Sequence, residues 1–305
     1  MAAFLARRLL QLAVVIIGVL TIVFVMQRLS GDPTDLLLPI DADETVRENL
    51  RRRLGLDQPI IVQYLRFIGD VATGDLGSSY RFRQPALELV LSRFPATLLL
   101  AGTSLLLSIV LAIPLGVLAA VYRNSWIDTV ATGVGLIGQA TPVYWLGLLG
   151  ILLFSVQLGL LPSMGGGSWR ALILPATTLA VYSMARIMRL TRSAMLDVLH
   201  QDYVRMARAK GLPEPVVLFK HALRNAAVPI VTIVGLQFGA LLGGAVITET
   251  VFAWPGVGRL AVNAVHQRDF PVVQAVVVVI ALAFSLINLA VDILYAVLNP
   301  RIRLQ

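Results

Sequence analysis

Few residues of this 305-residue chain are of types that do chemistry. There is no cysteine, which removes thiolate nucleophiles, disulfides and cysteine-ligated metals. His200, His221 and His266 stand far apart, and no HExxH occurs, so no metal site is expected. No GxSxG is present either, and no catalytic residue is assigned. The only lysines, Lys210 and Lys220, precede Gly and His, so neither closes a GxxxxGK[ST] phosphate loop. What remains is charge set in apolar surroundings. Glu249 and Asp292 lie in or near apolar runs, where an ionisable side chain is costly and a functional candidate. The stretch DYVRMARAKGLPEPVVLFKHALRN, from Asp202 to Asn225, is densely charged between runs of Leu, Val, Ile, Ala and Gly.

Those runs define the protein class. Hydrophobic residues make up 57% of the chain and charged residues 14%, against about 25% charged in a soluble domain. The net charge of +8 fits basic residues retained on the cytoplasmic side of a membrane protein. No soluble basic domain is present to carry nucleic acid, and no nucleic-acid partner is expected.

A span needs about 20 apolar residues. Six stretches qualify: 9–29, 96–122, 129–158, 171–188, 228–249 and 272–298. Pro114 and Pro142 fall inside the second and third and read as kinks. The first follows Arg7-Arg8 and is too long for a usual signal-peptide core, so it reads as an uncleaved anchor. With both termini cytoplasmic, the inner side collects Arg7, Arg8, Arg123, the basic residues from Arg186 to Arg224, Arg301 and Arg303. The short outer segments hold only Arg28, Arg170, Arg259 and Arg268, as the positive-inside rule requires.

The expected architecture is an all-α integral membrane protein of six transmembrane helices with a helical extracytoplasmic segment. The first span and that outer segment occupy 1–95. A five-helix core follows at 96–298, and a cytoplasmic tail at 299–305. In the outer segment Val46, Leu50 and Leu54 share one helix face, with Gly55 suited to the cap. A second amphipathic helix starts at Pro59 and aligns Ile60, Tyr64, Phe67 and Ile68.

The charged stretch must leave the membrane and return, within a loop at 190–227. Residues 202–210 suit a helix, Gly211 suits a left-handed stop, and a second helix can begin at Pro213 or Pro215. Val216, Phe219 and Leu223 would line one side of that second helix. Two short helices meeting at Gly211 form a corner able to enter a groove on another protein. The same spacing also describes a solvated loop.

The segment resembles the EAA loop of ABC importer permeases, keeping Ala207, Gly211 and Leu223. It departs at Arg205, Met206, His221 and Arg224, where the general pattern has Glu, Ala, Ile and Pro. D-Y-V-R-x-A-R-A-K-G-L followed by H-A-L-R-N is similar to the variant in dipeptide and oligopeptide importers. The resemblance extends through FLARRLLQL, SGDP, GLDQPIIVQYLRFIGDVATGDLGSSY, FPATLLLAGTSLLLSIVLAIPLGVLAA and ETVFAWPGVGRLAVNAVHQRDFPVVQA. It implies a type I ABC permease fold and the B-type membrane subunit of a peptide-class importer in the bacterial inner membrane. It also implies a second permease forming a heterodimer, two ATPase subunits that hold ATP and magnesium, and an external substrate-binding protein. The cofactor expected on this chain itself is none. Nickel-chelate and glutathione importers use similar subunits, so the solute stays open.

The resemblance assigns coupling to Tyr203, Arg205, Ala207, Arg208, Ala209, Lys210, Gly211, Leu212 and His221. Candidates for the pathway or subunit interface are Gln139, Tyr144, Gly235, Gly239, Gly243 and Glu249. The three glycines repeat every fourth residue and permit close helix contact. Glu249 has two readings: favouring a cationic group in the pathway, or holding the turn at 252–256. A rival class is a proton-coupled secondary transporter with Glu249 or Asp292 as carrier, although no inverted repeat is evident.

Overall fold

The computed structural model describes residues 2–29, 34, 38, 43–53 and 55–298. The regular elements among these residues are helices; no strand occurs, and Ser78 and Pro85 form an isolated bridge. The tail at 299–305 and Leu54 lie outside them. The chain divides into two compact units, Met1–Pro95 with Leu260–Ser285, and Ala96–Arg259 with Leu286–Gln305.

In the first unit α1 (Ala2–Leu29) precedes α2 (Glu44–Arg53) and α3 (Ile60–Ala72). Gly55 ends α2 with φ +68°, a left-handed position that costs a residue without Cβ little. Pro59 starts α3, where its missing N–H has no intrahelical partner to lose. Tyr64 and Phe67 turn toward α1. Phe24 lies with its ring centroid 5.3 Å from Tyr64 and 5.8 Å from Phe67, and Thr21 Oγ1 shares a 2.6 Å hydrogen bond with Tyr64 OH. Ile60, expected on the same face, is exposed in the first turn.

In the second unit α4 (Ala86–Val121) runs from its first-unit end through Pro95 and Pro114 without a break. α5 (Trp126–Ala140) is capped by Ser125, and α6 (Val143–Gly150) continues as a π-helical stretch, Ile151–Gln157. α7 is Trp169–Leu199, and α8 is Asp202–Ala209. A π-helical stretch, Val216–Ala222, leads into α9 (Leu223–Val251). α10 (Val257–His266) and α11 (Phe270–Leu298) follow, and most of each belongs to the first unit. Among the described residues, five helical stretches are long and apolar enough to cross a membrane. The pair 126–140 and 143–157, bent by 101°, supplies a sixth if it counts as one crossing.

Two expectations are corrected. Pro142 is a boundary and not a kink. The residue before a proline is pushed out of the helical region, and Thr141 is extended with ψ 129°. The helix after Gly211 is not a separate short element, since it passes through the π-helical stretch into α9. An i→i+5 stretch shifts the register, so Val217, Leu218 and Ala222 are buried while Phe219 is exposed.

Small residues bring α4, α5 and α7 together. A Cβ on Gly116 would stand 2.7 Å from the Met188 carbonyl oxygen, and one on Gly138 2.8 Å from Val181 Cγ1. Ser108 Oγ lies 2.5 Å from Ser183 Oγ and donates to the Ala180 carbonyl at 2.9 Å. Close backbone approach and inter-helix hydroxyl bonds are the means by which helices associate where lipid removes the hydrophobic drive.

Candidate functional site

The charged corner is built around Gly211. Its φ is +74°, a region that bulky L-residues avoid. Leu212 N–H donates to the Ala207 carbonyl at 3.4 Å, and Gly211 N–H to the Arg208 carbonyl at 2.9 Å. These two bonds form a Schellman stop, which satisfies carbonyls that α8 leaves open. Across the corner Arg208 meets Glu214 in a fork, with Nη2 to Oε1 at 2.7 Å and Nε 3.2 Å from both oxygens. The hydrogen bond from Arg208 holds the Glu214 carboxyl below its ordinary range, and Glu214 raises Arg208 in return.

The corner has an anchored side and an open side. Val204 and Ala207 of α8, with Val217, Leu218 and Ala222, pack in one cluster with Val117 of α4, Met195 and Leu199 of α7, and Ala226 and Ile230 of α9. The opposite side exposes Tyr203, Met206, Leu212 and Phe219 among Arg205, Arg208, Ala209 and Lys210. His221 is half-buried, and its carbonyl accepts from Asn225 Nδ2 at 2.8 Å. Apolar and cationic groups thus share one exposed surface whose backing runs directly into three long helices.

Glu249 is fully buried near the end of α9. Its Oε1 accepts from Thr97 Oγ1 at 2.6 Å, and its Oε2 from Arg259 N–H at 3.0 Å. Thr97 Oγ1 in turn accepts from Val257 N–H at 2.8 Å. The carboxylate and the hydroxyl together satisfy free N–H groups in the first turn of α10, where a negative charge is favourable. A Cβ on Gly256 would collide with the carboxylate. This geometry supports a structural role in the turn. The signal for it in the sequence is the glycine pair Gly256 and Gly258; Thr97, distant in sequence, carries none.

The other pathway candidates separate. Gln139 accepts from Arg189 Nη2, whereas Tyr144, just past the bend at Pro142, is half-exposed. Gly235 is tightly packed, because a Cβ there would collide with Val291. Gly239 is buried, while Gly243 is exposed with open space around it. One pair went unremarked in the sequence. Arg192 donates Nε to Asp128 Oδ1 at 2.6 Å and Nη2 to Oδ2 at 2.7 Å, tying α7 to α5. The apolar run ends near Met188, which places Arg192 among the loop cations by sequence, but the helix continues to Leu199.

Comparisons with known proteins define the class of this all-α membrane chain. Residues 112–304 match the family described as binding-protein-dependent transport system inner membrane component, and residues 1–101 match its N-terminal domain. The chain belongs to that family and is a multi-pass inner-membrane permease subunit of the ABC importer type. It is 46% identical over 305 residues to the glutathione transport system permease protein GsiC of Escherichia coli O6:H1, covering 99% of each chain. Its identity to GsiC of Salmonella paratyphi A is also 46%, with the same coverage. In fold it is similar to a chain of the inward-facing MetNI methionine ABC transporter, at TM-score 0.60 and 21% identity. That match covers 69% of this chain and 96% of the other.

Proposed function

We propose that this chain is the membrane half of an ATP-driven importer for small peptides, glutathione among them. An external binding protein delivers the solute, and a second, homologous permease pairs with this one to form the pathway. Two ATPase subunits carry all ATP hydrolysis, and one of them docks at the corner of residues 202–212. Both termini face the cytoplasm. The relatives named for glutathione transport support the solute class. The absence of a phosphate-loop pattern from the sequence supports hydrolysis on other chains.

The observation that carries this reading is the two-sided corner. Its exposed face offers four apolar side chains and several cations to a soluble partner. Its buried face packs on α4, α7 and α9. A push on such an element reaches the spans through close-packed side chains, which transmit displacement and do not absorb it. The rival reading, a proton carrier at Glu249, is disfavoured because that carboxylate is fully buried and engaged in the turn.

The test is uptake into proteoliposomes holding the two permeases and two ATPases, with loaded binding protein outside. ATP is trapped inside, and an ionophore collapses the proton gradient. Uptake of glutathione or a tripeptide should continue with ATP and stop without it. Uptake that follows the gradient and ignores ATP would overturn the reading.

A further inference from the structure

Three arginines stand at three-residue intervals on α7: Arg186, Arg189 and Arg192. Of these three, only Arg192 meets a carboxylate among the described residues. Arg189 donates Nη2 to Gln139 Oε1 on α5. Arg186 donates Nη2 to Tyr182 OH at 2.7 Å, lies 4.7 Å from the centroid of that ring, and reaches Gln237 Oε1 of α9 at 3.4 Å. A guanidinium is always charged. Two partly buried cations in one long, apolar helix are therefore met by neutral groups alone, although such charges are normally paired with an opposite charge.

Gln237 points the same way. It is 2% exposed, its oxygen faces Arg186, and its buried Nε2 has no acceptor. An unpaired buried donor is destabilising, and one in a native protein calls for an explanation. The unmet buried group of this cluster is a donor, the Gln237 amide NH₂, and it stands beside guanidinium groups that can only donate. The group that complements it is an oxyanion, which accepts from Arg186 and from Gln237 Nε2 together. A cavity of about 360 Å³ opens between α7 and α9, lined by Leu190, Val228, Pro229, Thr232, Ile233 and Leu236; Arg189 and Gln237 adjoin Leu190 and Leu236 in the chain but do not themselves line it.

We propose that Arg186 and Gln237, with Arg189 one turn further along α7, form a carboxylate-binding station for the transported peptide. This rests on the importer reading above. A peptide carries a terminal carboxylate, and the station would hold it after release from the binding protein. The same oxyanion chemistry is found in anionic lipid headgroups, so the test separates the two sources.

The chain has no cysteine, so Ile233→Cys places a single thiol in the cavity one turn from Gln237. The complete complex, with partner chains free of reactive cysteine, is reconstituted in phosphatidylcholine vesicles and labelled with a water-soluble maleimide. Trialanine should slow labelling, and trialanine amide should not. In Arg186→Gln the concentration needed for protection should rise about tenfold or more, the factor expected from one lost charge-assisted hydrogen bond. Arg186→Lys should recover part of that loss, and Gln237→Leu should weaken protection independently. Equal protection by acid and amide, or protection unchanged in Arg186→Gln and Gln237→Leu, overturns the station. Slowing by phosphatidylglycerol vesicles with no effect of trialanine assigns the donors to a headgroup and also overturns it. A thiol unlabelled in every state shows that no water-borne solute reaches the site. ATP-driven uptake is measured on the same vesicles: its loss refutes the importer reading, whereas intact uptake without carboxylate-dependent protection refutes the station alone.

Discussion

Replacing Gly211 by valine isolates the corner. A Cβ at this position would meet nothing within 4 Å, so no clash inside the chain contributes. The cost is backbone strain at φ +74°, about 1–3 kcal/mol and toward the upper end for a β-branched residue. Escape into an ordinary helical or extended conformation would break the bonds from Leu212 N–H to Ala207 and from Gly211 N–H to Arg208. Each is worth about 0.5–1.5 kcal/mol, so relaxation saves little. The penalty is small against the burial that holds the long helices together, and the subunit should reach the membrane at normal levels. At a docked corner, 1–3 kcal/mol is about 5- to 150-fold in affinity. Membrane abundance, ATPase copurification and uptake should therefore give normal, weakened and lost, in that order. Gly211→Asn is the control, because asparagine tolerates the left-handed region; it should retain most coupling. Full uptake with firmly bound ATPases in Gly211→Val would refute the argument. So would an asparagine variant as damaged as the valine one, since bulk and not backbone would then be responsible.

Other substitutions test the packing. Glu249→Ala removes the acceptor for Thr97 Oγ1 and Arg259 N–H, at about 1–3 kcal/mol per orphaned buried donor. It should lower yield and melting temperature in detergent, with Glu249→Gln milder; unchanged melting would exclude the role in the turn. Asp128→Asn strands Arg192 and should cost about 3 kcal/mol, partly restored by adding Arg192→Met, as thermal unfolding of both variants would show. Gly235→Val should collide with Val291 and be relieved by Val291→Ala, measured by complex yield. Gly239→Leu should impair assembly or uptake, because that glycine is buried; wild-type yield and uptake would count against a close contact there.

The parts of the fold governed by local rules were legible in the sequence. Residues 202–210, Gly211 and the prolines after it announce a helix, a left-handed stop and a restart, and α8 with its Schellman bonds follows that order. Gly55 and Pro59 set the limits of α2 and α3 in the same way. Hydropathy finds apolar runs but not helix ends, so α4 begins ten residues before Ala96, at Ala86, and α7 carries Arg189 and Arg192 past Met188. Proline alone does not announce its effect, since membrane helices tolerate some prolines; Pro114 stays within a helix while Pro142 ends one. The π-helical stretch at 216–222 left no compositional mark, and Phe219, expected on one side with Val216 and Leu223, is exposed while Leu218 is buried. The partners of Glu249, Gln139 and Arg192 lie on other helices, and no periodicity within one helix reveals them.

The central claim is that a soluble motor presses on the exposed face of this corner. Single cysteines in place of Met206 and Leu212, both exposed, and of Val204, fully buried, place three reporters within the corner. Cross-linking to the ATPase subunits is then measured in the assembled, transport-competent complex. The account predicts that Met206→Cys and Leu212→Cys join the ATPase in high yield and that Val204→Cys does not. A complex that transports at full rate while neither exposed position reaches an ATPase would contradict it.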